Sequence, residues 1–543
     1  MEGNIHSQVE SPWWVLALPV VMNNQAVSMK SSSAFCSTWV LCVLGLGMSM
    51  LVLLVTWLSP GGSAWGLLRR KTAIPGPRGM PLVGSLMVMC GLAHRLLATL
   101  AESHGGKRLM AFSLGFTRVV ICSQPEVAKE ILNSSAFADR PIKESAYQLM
   151  FDRAIGFAPY SDYWRGLRKI AATHLFSPRR ISAFESHRQT LTNTMLESIE
   201  KSGISGGSVR IRELLQRTSL NNIMGSVFGR SYKFGCGDWE AEELASMVQE
   251  GYELLGTFNF GDHLPLLGFL DMQRIRKRCS DLVPRVYAFV QNIIEQHRAN
   301  PAAGDRADSD FVDVLLSLEG NEKLSNSDMV AVLWEMIFRG TDTVAILMEW
   351  ILARLVLHPN IQAKVHEELD SVVGNSRQLV ESDIPKLPYL QAVVKEVLRI
   401  HPPGPLLSWA RLAIHDVHVG GHLIPAGTTA MVNMWSITHD KDIWADPLSF
   451  RPERFLPSAG GEEVNIMGSD LRLAPFGSGR RVCPGKALGL QTVHTWLARM
   501  LHHFQWLPSD GHPVDLTEIL RLSCEMKVPL CTKLLRRNNV PFQ

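Results

Sequence analysis

Between Ser31 and Leu68 the chain carries no charged residue, and Thr38–Leu58, TWVLCVLGLGMSMLVLLVTWL, is almost wholly apolar. As a helix this stretch spans about 30 Å, the hydrocarbon thickness of a bilayer. A cleaved secretory signal has a shorter apolar core, starts earlier and ends at a small-residue cleavage site, so the segment reads as one transmembrane anchor rather than a signal peptide or a core helix. Lys30 precedes it, whereas Arg69, Arg70, Lys71 and Arg78 follow. Positive charge is retained on the cytosolic side, which puts the bulk of the chain in the cytosol and residues 1–37 in the lumen. The earlier apolar run Trp13–Met22 is too short to span and is broken by Pro19. It receives no role.

The expected organisation is a lumenal segment (1–37), an anchor (38–58), a basic and proline-rich hinge (59–84) and one large unit (85–543). Within the hinge, IPGPRGMPLVG (Ile74–Gly84) carries three prolines that forbid a helix and three glycines that permit tight turns. Beyond it there is no second linker and no repeat. Lys201–Gly207 and Arg298–Asp310 read as surface loops. Apolar residues recur every three or four positions over 124–133, 185–200, 239–256, 282–297, 326–357 and 387–400, which predicts helices. Thr117–Cys122, His415–Ile424 and Thr428–Asn433 predict short strands. The fold class is mainly α with a small β part.

Composition narrows the function. A net charge of +3 gives no reason to expect nucleic acid. The nine cysteines are odd in number and scattered, with no CxxC pair, which speaks against a disulfide scaffold or structural zinc and for a reducing compartment. One of them stands apart. Cys483 lies in PFGSGRRVCPG (Pro475–Gly485), where glycines allow close approach of a flat ligand and Arg480, Arg481 and Lys486 supply charge that favours a thiolate.

The spacing Phe476-x-x-Gly479-x-Arg481-x-Cys483-x-Gly485 resembles the haem-binding signature of the cytochrome P-450 family. Chance would produce it on the order of once in ten thousand sequences of this length. The resemblance implies the P-450 fold, haem b (iron protoporphyrin IX) as cofactor and Cys483 as its axial thiolate, with Phe476 and Gly485 beside the ligand loop and Arg481 toward a propionate. A cysteinate favours O–O cleavage more than histidine does. Trp164 and Arg168 resemble the family's Trp-x-x-x-Arg helix and are implied propionate partners, as is Arg411. Glu396-Val397-Leu398-Arg399 could be an ordinary surface pair. Followed by Pro452-Glu453-Arg454-Phe455, it resembles the family's structural trio of Glu396, Arg399 and Arg454.

Ser325 and Asp328 read as a capping box opening a long apolar helix. Inside it, Gly340-Thr341-Asp342-Thr343 resembles the family's oxygen-activation motif, which implies Thr343 as the hydrogen-bonding hydroxyl and Asp342 as proton relay. A mid-helix threonine by itself more often bonds back to the preceding turn. Arg339 departs from the pattern, standing where most members have alanine or glycine. It shares a face with Thr343 and lies four residues after Glu335, so it either pairs with that acid or reaches the substrate. By family position the pocket comprises Phe157, Arg339, Gly340, Leu406, Leu407 and Leu522.

PGPRGMPLVG, FRGTDTVA and PFGSGRRVCPGKALG together resemble plant microsomal members of family 78, subfamily A, a group implicated in organ growth and seed or leaf development, for which fatty-acid hydroxylation has been proposed. The chain has no flavin or nicotinamide glycine motif. Electrons are therefore expected from NADPH through a separate NADPH–cytochrome P-450 reductase that docks on Arg165, Lys169, Arg480 and Lys486. The implied reaction is monooxygenation of a lipophilic small molecule at the endoplasmic reticulum membrane. A reductase-independent isomerase or dehydratase and a non-catalytic haem sensor are the alternatives; the intact Asp342-Thr343 pair speaks against the first of these.

Overall fold

The computed structural model describes residues 31–59, 61–68, 74–234, 237–300, 309–407 and 410–537. The run Trp13–Met22, Lys30, the basic cluster Arg69–Lys71 and residues 301–308 of the Arg298–Asp310 loop lie outside the described residues. The chain divides into two units, Met1–Leu54 and Val55–Gln543. Most of helix α1 (Ser31–Trp57) belongs to the first, and its apolar side chains from Trp39 to Leu54 are exposed. An uncharged helix that buries none of its faces, with Thr38–Trp57 long and apolar enough to cross a bilayer, matches what a membrane anchor requires.

In the second unit the principal helices are α2 (Ala93–Ser103), α3 (Pro125–Asn133), α4 (Asp162–His174), α5 (Glu185–Gly206), α6 (Ile211–Phe228), α7 (Trp239–Gly256), α8 (Ile275–Ala299), α9 (Asn326–Leu357), α10 (Pro359–Val372), α11 (Pro388–Ile400) and α12 (Lys486–His503). The strands are β1 (Met110–Leu114), β2 (Thr117–Cys122), β3 (Val209–Arg210), β4 (Arg411–Leu412), β5 (Val417–Val419), β6 (His422–Ile424), β7 (Thr429–Val432), β8 (Phe504–Pro508), β9 (Glu518–Leu520), β10 (Cys524–Met526) and β11 (Cys531–Arg536). The largest sheet has the order β1-β2-β7-β4, with β2 and β7 parallel from Val119↔Thr429 to Cys122↔Val432.

Four local readings change. Ile74–Gly84, expected as a stiff hinge, is docked on the body: Ile74 is buried, Ala111 N donates to Pro75 O (2.9 Å) and Ser85 N to Ser113 O (2.7 Å). Proline holds this backbone extended, so its carbonyls can serve the open edge of β1. Lys201–Gly206 is helical, and the turn comes only at Gly207, a left-handed cap (φ 64°) whose N–H donates to Gly203 O. Helix α8 starts at Ile275 and carries Pro284 inside it. Helix α6, absent from the predicted helices, is sandwiched, with Ser219, Asn222 and Ser226 buried among its apolar residues.

Helix α9 is the axis of the body. Ser325 caps it, its Oγ accepting from Asp328 N (3.2 Å). Met329–Phe338 packs into a core shared with α6, α7 and α8, and Ala345–Val356 into another shared with α11 and α12. Residues 339–344 lie between these cores, where the apolar packing opens.

Candidate active site

The loop before α12 is built to hold one sulfur. Cys483 N donates to Phe476 O (3.0 Å), which folds Pro475–Cys483 back on itself. Gly479 (φ 68°) lies so close to Leu132 O of α3 that no Cβ would fit. Arg481 is buried and gives one N–H from each of its three nitrogens to Ala138 O (2.8 Å), Ile155 O (3.2 Å) and Ala158 O (2.7 Å), with its guanidinium 4.2 Å from the Trp164 ring. Arg480 is exposed and donates to Asn133 O. Burial pushes the Cys483 thiol above its ordinary value, opposed by the Gly485 N–H and then by Arg339, Arg168 and Lys486. The largest opposing charges are thus Arg339 and Arg168, brought from α9 and α4, rather than the loop's own Arg480 and Arg481.

Cys483 opens into a cavity of about 290 Å³ that also takes Phe476, Arg481, Gly485, Trp164, Arg168, Arg411, Arg339, Gly340, Thr343, Leu407 and Leu522. One wall is cationic. Arg168 Nη1 donates to Val482 O (3.0 Å), and Trp164 Nε1 to Ile155 O (2.9 Å). Arg411 is buried, pushed down to about 9 by burial and by Arg481, and its Nη1 has no hydrogen-bond partner. Arg140, which the sequence reading did not single out, donates to Gly156 O and Ala410 O and lines the same wall; burial, Arg411 and Arg481 hold its pKa well below the usual value. Asp139, 3.8 Å from Arg481, and Glu335 are the nearby carboxylates. Positive charge is in excess, and buried cations call for anionic partners. A sulfur donor facing a cavity beside an orphaned buried guanidinium fits haem, whose iron takes a thiolate and whose two propionates take arginines.

The opposite wall is α9. Thr343 is exposed to the cavity, whereas Thr341 is buried and bonds back to Ile337 O (2.6 Å). Asp342 is not on the cavity wall. One residue along a helix turns the side chain by about 100°, and its carboxylate faces α6, where Gln216 Nε2 donates to Oδ1 (3.0 Å). Burial pushes Asp342 up to about 6, against the hydrogen bond from Gln216, with Glu525, Arg212 and Arg521 as further charged neighbours. Ile223 of α6 presses on Gly340, leaving no room for a Cβ, so this glycine serves close packing. Glu335 is buried; its Oε1 accepts from Gly156 N (2.8 Å), its Oε2 has no hydrogen-bond partner, and burial raises its pKa with Arg339 the largest opposing charge.

Two expected pocket residues lie elsewhere. Phe157 is buried in the core of α6–α9, and Leu406 packs with β1 and β2. Its neighbour Leu407 does reach the cavity, in a left-handed conformation (φ 54°) that costs a branched residue of this kind on the order of 1 kcal/mol. Asn222 and Ile223 of the cavity wall were missed with helix α6 itself, and Tyr252 although its helix α7 was predicted.

Beneath the cavity Glu396 and Arg399 are fully buried and paired (2.8 and 2.9 Å), and Arg454 Nε donates to Glu396 Oε1 (3.0 Å). Arg399 further donates to Thr438 O and Pro447 O (both 2.8 Å), tying α11 to the long coil that leads to the cysteine loop.

Comparison with known proteins agrees with this geometry. The sequence profile of the cytochrome P450 family matches residues 74–528. "Cytochrome P450 78A6" of Arabidopsis thaliana is 57% identical over 538 residues, covering 95% of this chain and all of that protein. "Cytochrome P450 78A3" of Glycine max is 53% identical over 535 residues, 98% and 99% of the two chains. "Flavonoid 3'-monooxygenase" of Arabidopsis thaliana is 36% identical over 468 residues, 84% of this chain and 90% of that protein. With a cysteine loop, a cationic wall and a threonine-bearing helix around one cavity, and with this coverage, the chain belongs to the cytochrome P450 family and, within it, to the plant 78A group.

Proposed function

We propose that this monooxygenase places one atom of dioxygen into a C–H bond of a lipophilic small molecule, a fatty acid or related lipid, held between α9 and the Leu407 and Leu522 loops. The observation that carries the reading is that Cys483 and Thr343 open into the same cavity from opposite elements. Cys483 would ligate haem iron, with Phe476 and Gly485 shaping its loop and Arg168, Arg411 and Arg481 on the propionate side; Trp164, whose single N–H is given to Ile155 O, would pack beside Arg481 rather than bond a propionate. Haem supplies the iron at which dioxygen is reduced. Thr343 Oγ1 presents a hydroxyl to the cavity. Asp342, whose pKa of about 6 lets it take and release a proton near neutral pH, would resupply it after turning from Gln216. Glu396, Arg399 and Arg454 act on the fold alone.

Helix α1 would anchor the chain in the endoplasmic reticulum membrane with the catalytic unit in the cytosol, where NADPH–cytochrome P450 reductase meets the face bearing Arg165, Lys169, Arg480 and Lys486. A product with a role in organ growth follows from the likeness to the 78A group. The test is incorporation of isotopically labelled dioxygen into a plant lipid extract under NADPH and reductase, with Cys483→Ala as control. A labelled product that disappears in the variant is expected. No label, from protein whose reduced carbon monoxide spectrum still shows thiolate-bound haem, would favour the reductase-independent class.

A further inference from the structure

The β9–β10 hairpin brings Leu522 and Ser523 to the cavity on a three-residue tip. Two strands of three residues each, joined to no other sheet, do not hold a position in water by themselves. Their second strand is buried and takes hydrogen bonds of its own, Cys524 N donating to Pro403 O (2.9 Å) and Arg212 Nη2 to Met526 O (2.6 Å), while the first strand is held at the far end. The Glu518 side chain, 2% exposed, meets Arg95 Nη2 of α2 (2.8 Å), His94 Nε2 of α2 (3.5 Å, 0% exposed) and His401 Nδ1 (3.4 Å), the residue that closes α11. Arg354 Nε of α9 donates to His401 Nε2 (2.9 Å), which fixes the tautomer: Nε2 accepts, so Nδ1 carries the proton and donates to Glu518. The His401 ring lies flat on Trp350 of α9 (3.8 Å between centroids, 5° between planes), and Trp350 Nε1 donates to Cys524 O (3.2 Å) on the hairpin's second strand. Burial keeps His401 neutral at physiological pH, down to about 4.

We propose that Glu518 is a positioning residue for substrate: by fastening the base of the β9–β10 hairpin to α2, α9 and the end of α11, it fixes where Leu522 stands in the cavity. Glu518 touches no cavity residue. From Glu518 to Leu522 is four residues, roughly 13 Å of strand, so a small rotation at the base becomes a displacement at the tip. The inference rests on the reading of the cavity as the substrate site.

The test uses the full-length, haem-loaded protein and two ligands that bind iron through nitrogen and report by an optical shift. Imidazole is too small to reach the hairpin; 1-dodecylimidazole fills the cavity. Leu522→Ala should weaken 1-dodecylimidazole about tenfold. Glu518→Gln should weaken it by a similar factor while leaving imidazole unchanged, and the double variant should be no weaker than the worse single one, the mark of two residues acting through one element. Amide hydrogen exchange over 518–526 should rise in Glu518→Gln. Additive losses, about a hundredfold in the double variant, or an unchanged Glu518→Gln, would overturn the positioning role while sparing the cavity reading. An unchanged Leu522→Ala would overturn both. If Glu518→Gln does not load haem, Arg95→Ala, half-exposed and remote from the cavity, takes its place in the same cycle.

Discussion

Removing the Glu396 carboxylate is the sharpest perturbation of the fold. Glu396 accepts from Arg399 Nε and Nη2, Arg454 Nε and Arg451 N, and it is the only carboxylate paired with Arg399 or Arg454 among the described residues. In Glu396→Ala two guanidiniums stay out of water with carbonyl partners alone, Thr438, Pro447 and Ser449 for the first and Ala445, Asp446 and Ser449 for the second. Breaking one buried pair costs about 3–5 kcal/mol. With one acid serving two cations the loss should reach about 5 kcal/mol, a third or more of the stability of a typical domain. Urea unfolding of the detergent-solubilised chain, followed by tryptophan fluorescence, measures it. A Glu396→Gln variant, which keeps the hydrogen-bond shape but not the charge, should lose roughly half as much. Replacing all three residues by methionine should restore part of the loss, because no uncompensated charge is left. If Glu396→Ala unfolded within about 1 kcal/mol of wild type, the trio would not be holding the coil beneath the cavity.

Asp342 sets a pH dependence: its carboxyl titrates near 6 in the folded chain and at 3.8 ordinarily, so the folded state holds the proton more tightly and stability falls as pH rises between those values. Asp342→Asn should flatten that slope and gain stability relative to wild type at pH 7 but not at pH 3.5; a parallel pH profile would refute the assignment. Arg339→Ala should change substrate affinity or product position, read by ligand-induced optical shifts and mass spectrometry, and no change would leave Arg339 as a partner of Glu335 alone. High salt should slow reductase-supported turnover more than it weakens substrate binding, since Arg165, Lys169 and Arg480 are exposed and the cavity is not; equal salt effects would remove the basic face from the docking site.

The sequence made some parts of this molecule legible because their determinants are local. The cysteine loop is defined by glycines and one sulfur within a few residues, and α9 by its cap and the apolar runs on either side of Arg339–Thr343. Thr117–Cys122 and Thr429–Val432 were visible as strands because each is a short run with β-branched residues at its ends or centre, Thr117, Val119, Val120 and Ile121 in the first and Thr429 and Val432 in the second. Other parts depend on partners far along the chain. Spacing put Asp342 and Thr343 side by side, but only the packing of α6 decides that Asp342 turns to Gln216 while Thr343 faces the cavity. Leu406 and Leu407 are neighbours of one type, and a left-handed backbone at the second separates their fates. The Glu518 cluster joins residues 94, 354, 401 and 518, each unremarkable in its own stretch.

The parallel pairing of β2 with β7 has a consequence for synthesis. Val119–Cys122 finds its partner only at Thr429–Val432, so some three hundred residues must leave the ribosome before the sheet can close, about 15–60 s at ordinary elongation rates. During that interval the β1–β2 hairpin presents an unpaired apolar edge. The nascent chain therefore passes through a half-built state whose open strand invites either a chaperone or a wrong partner, and cavity formation, which also needs the cysteine loop and the β9–β10 tip beyond Val432, comes last.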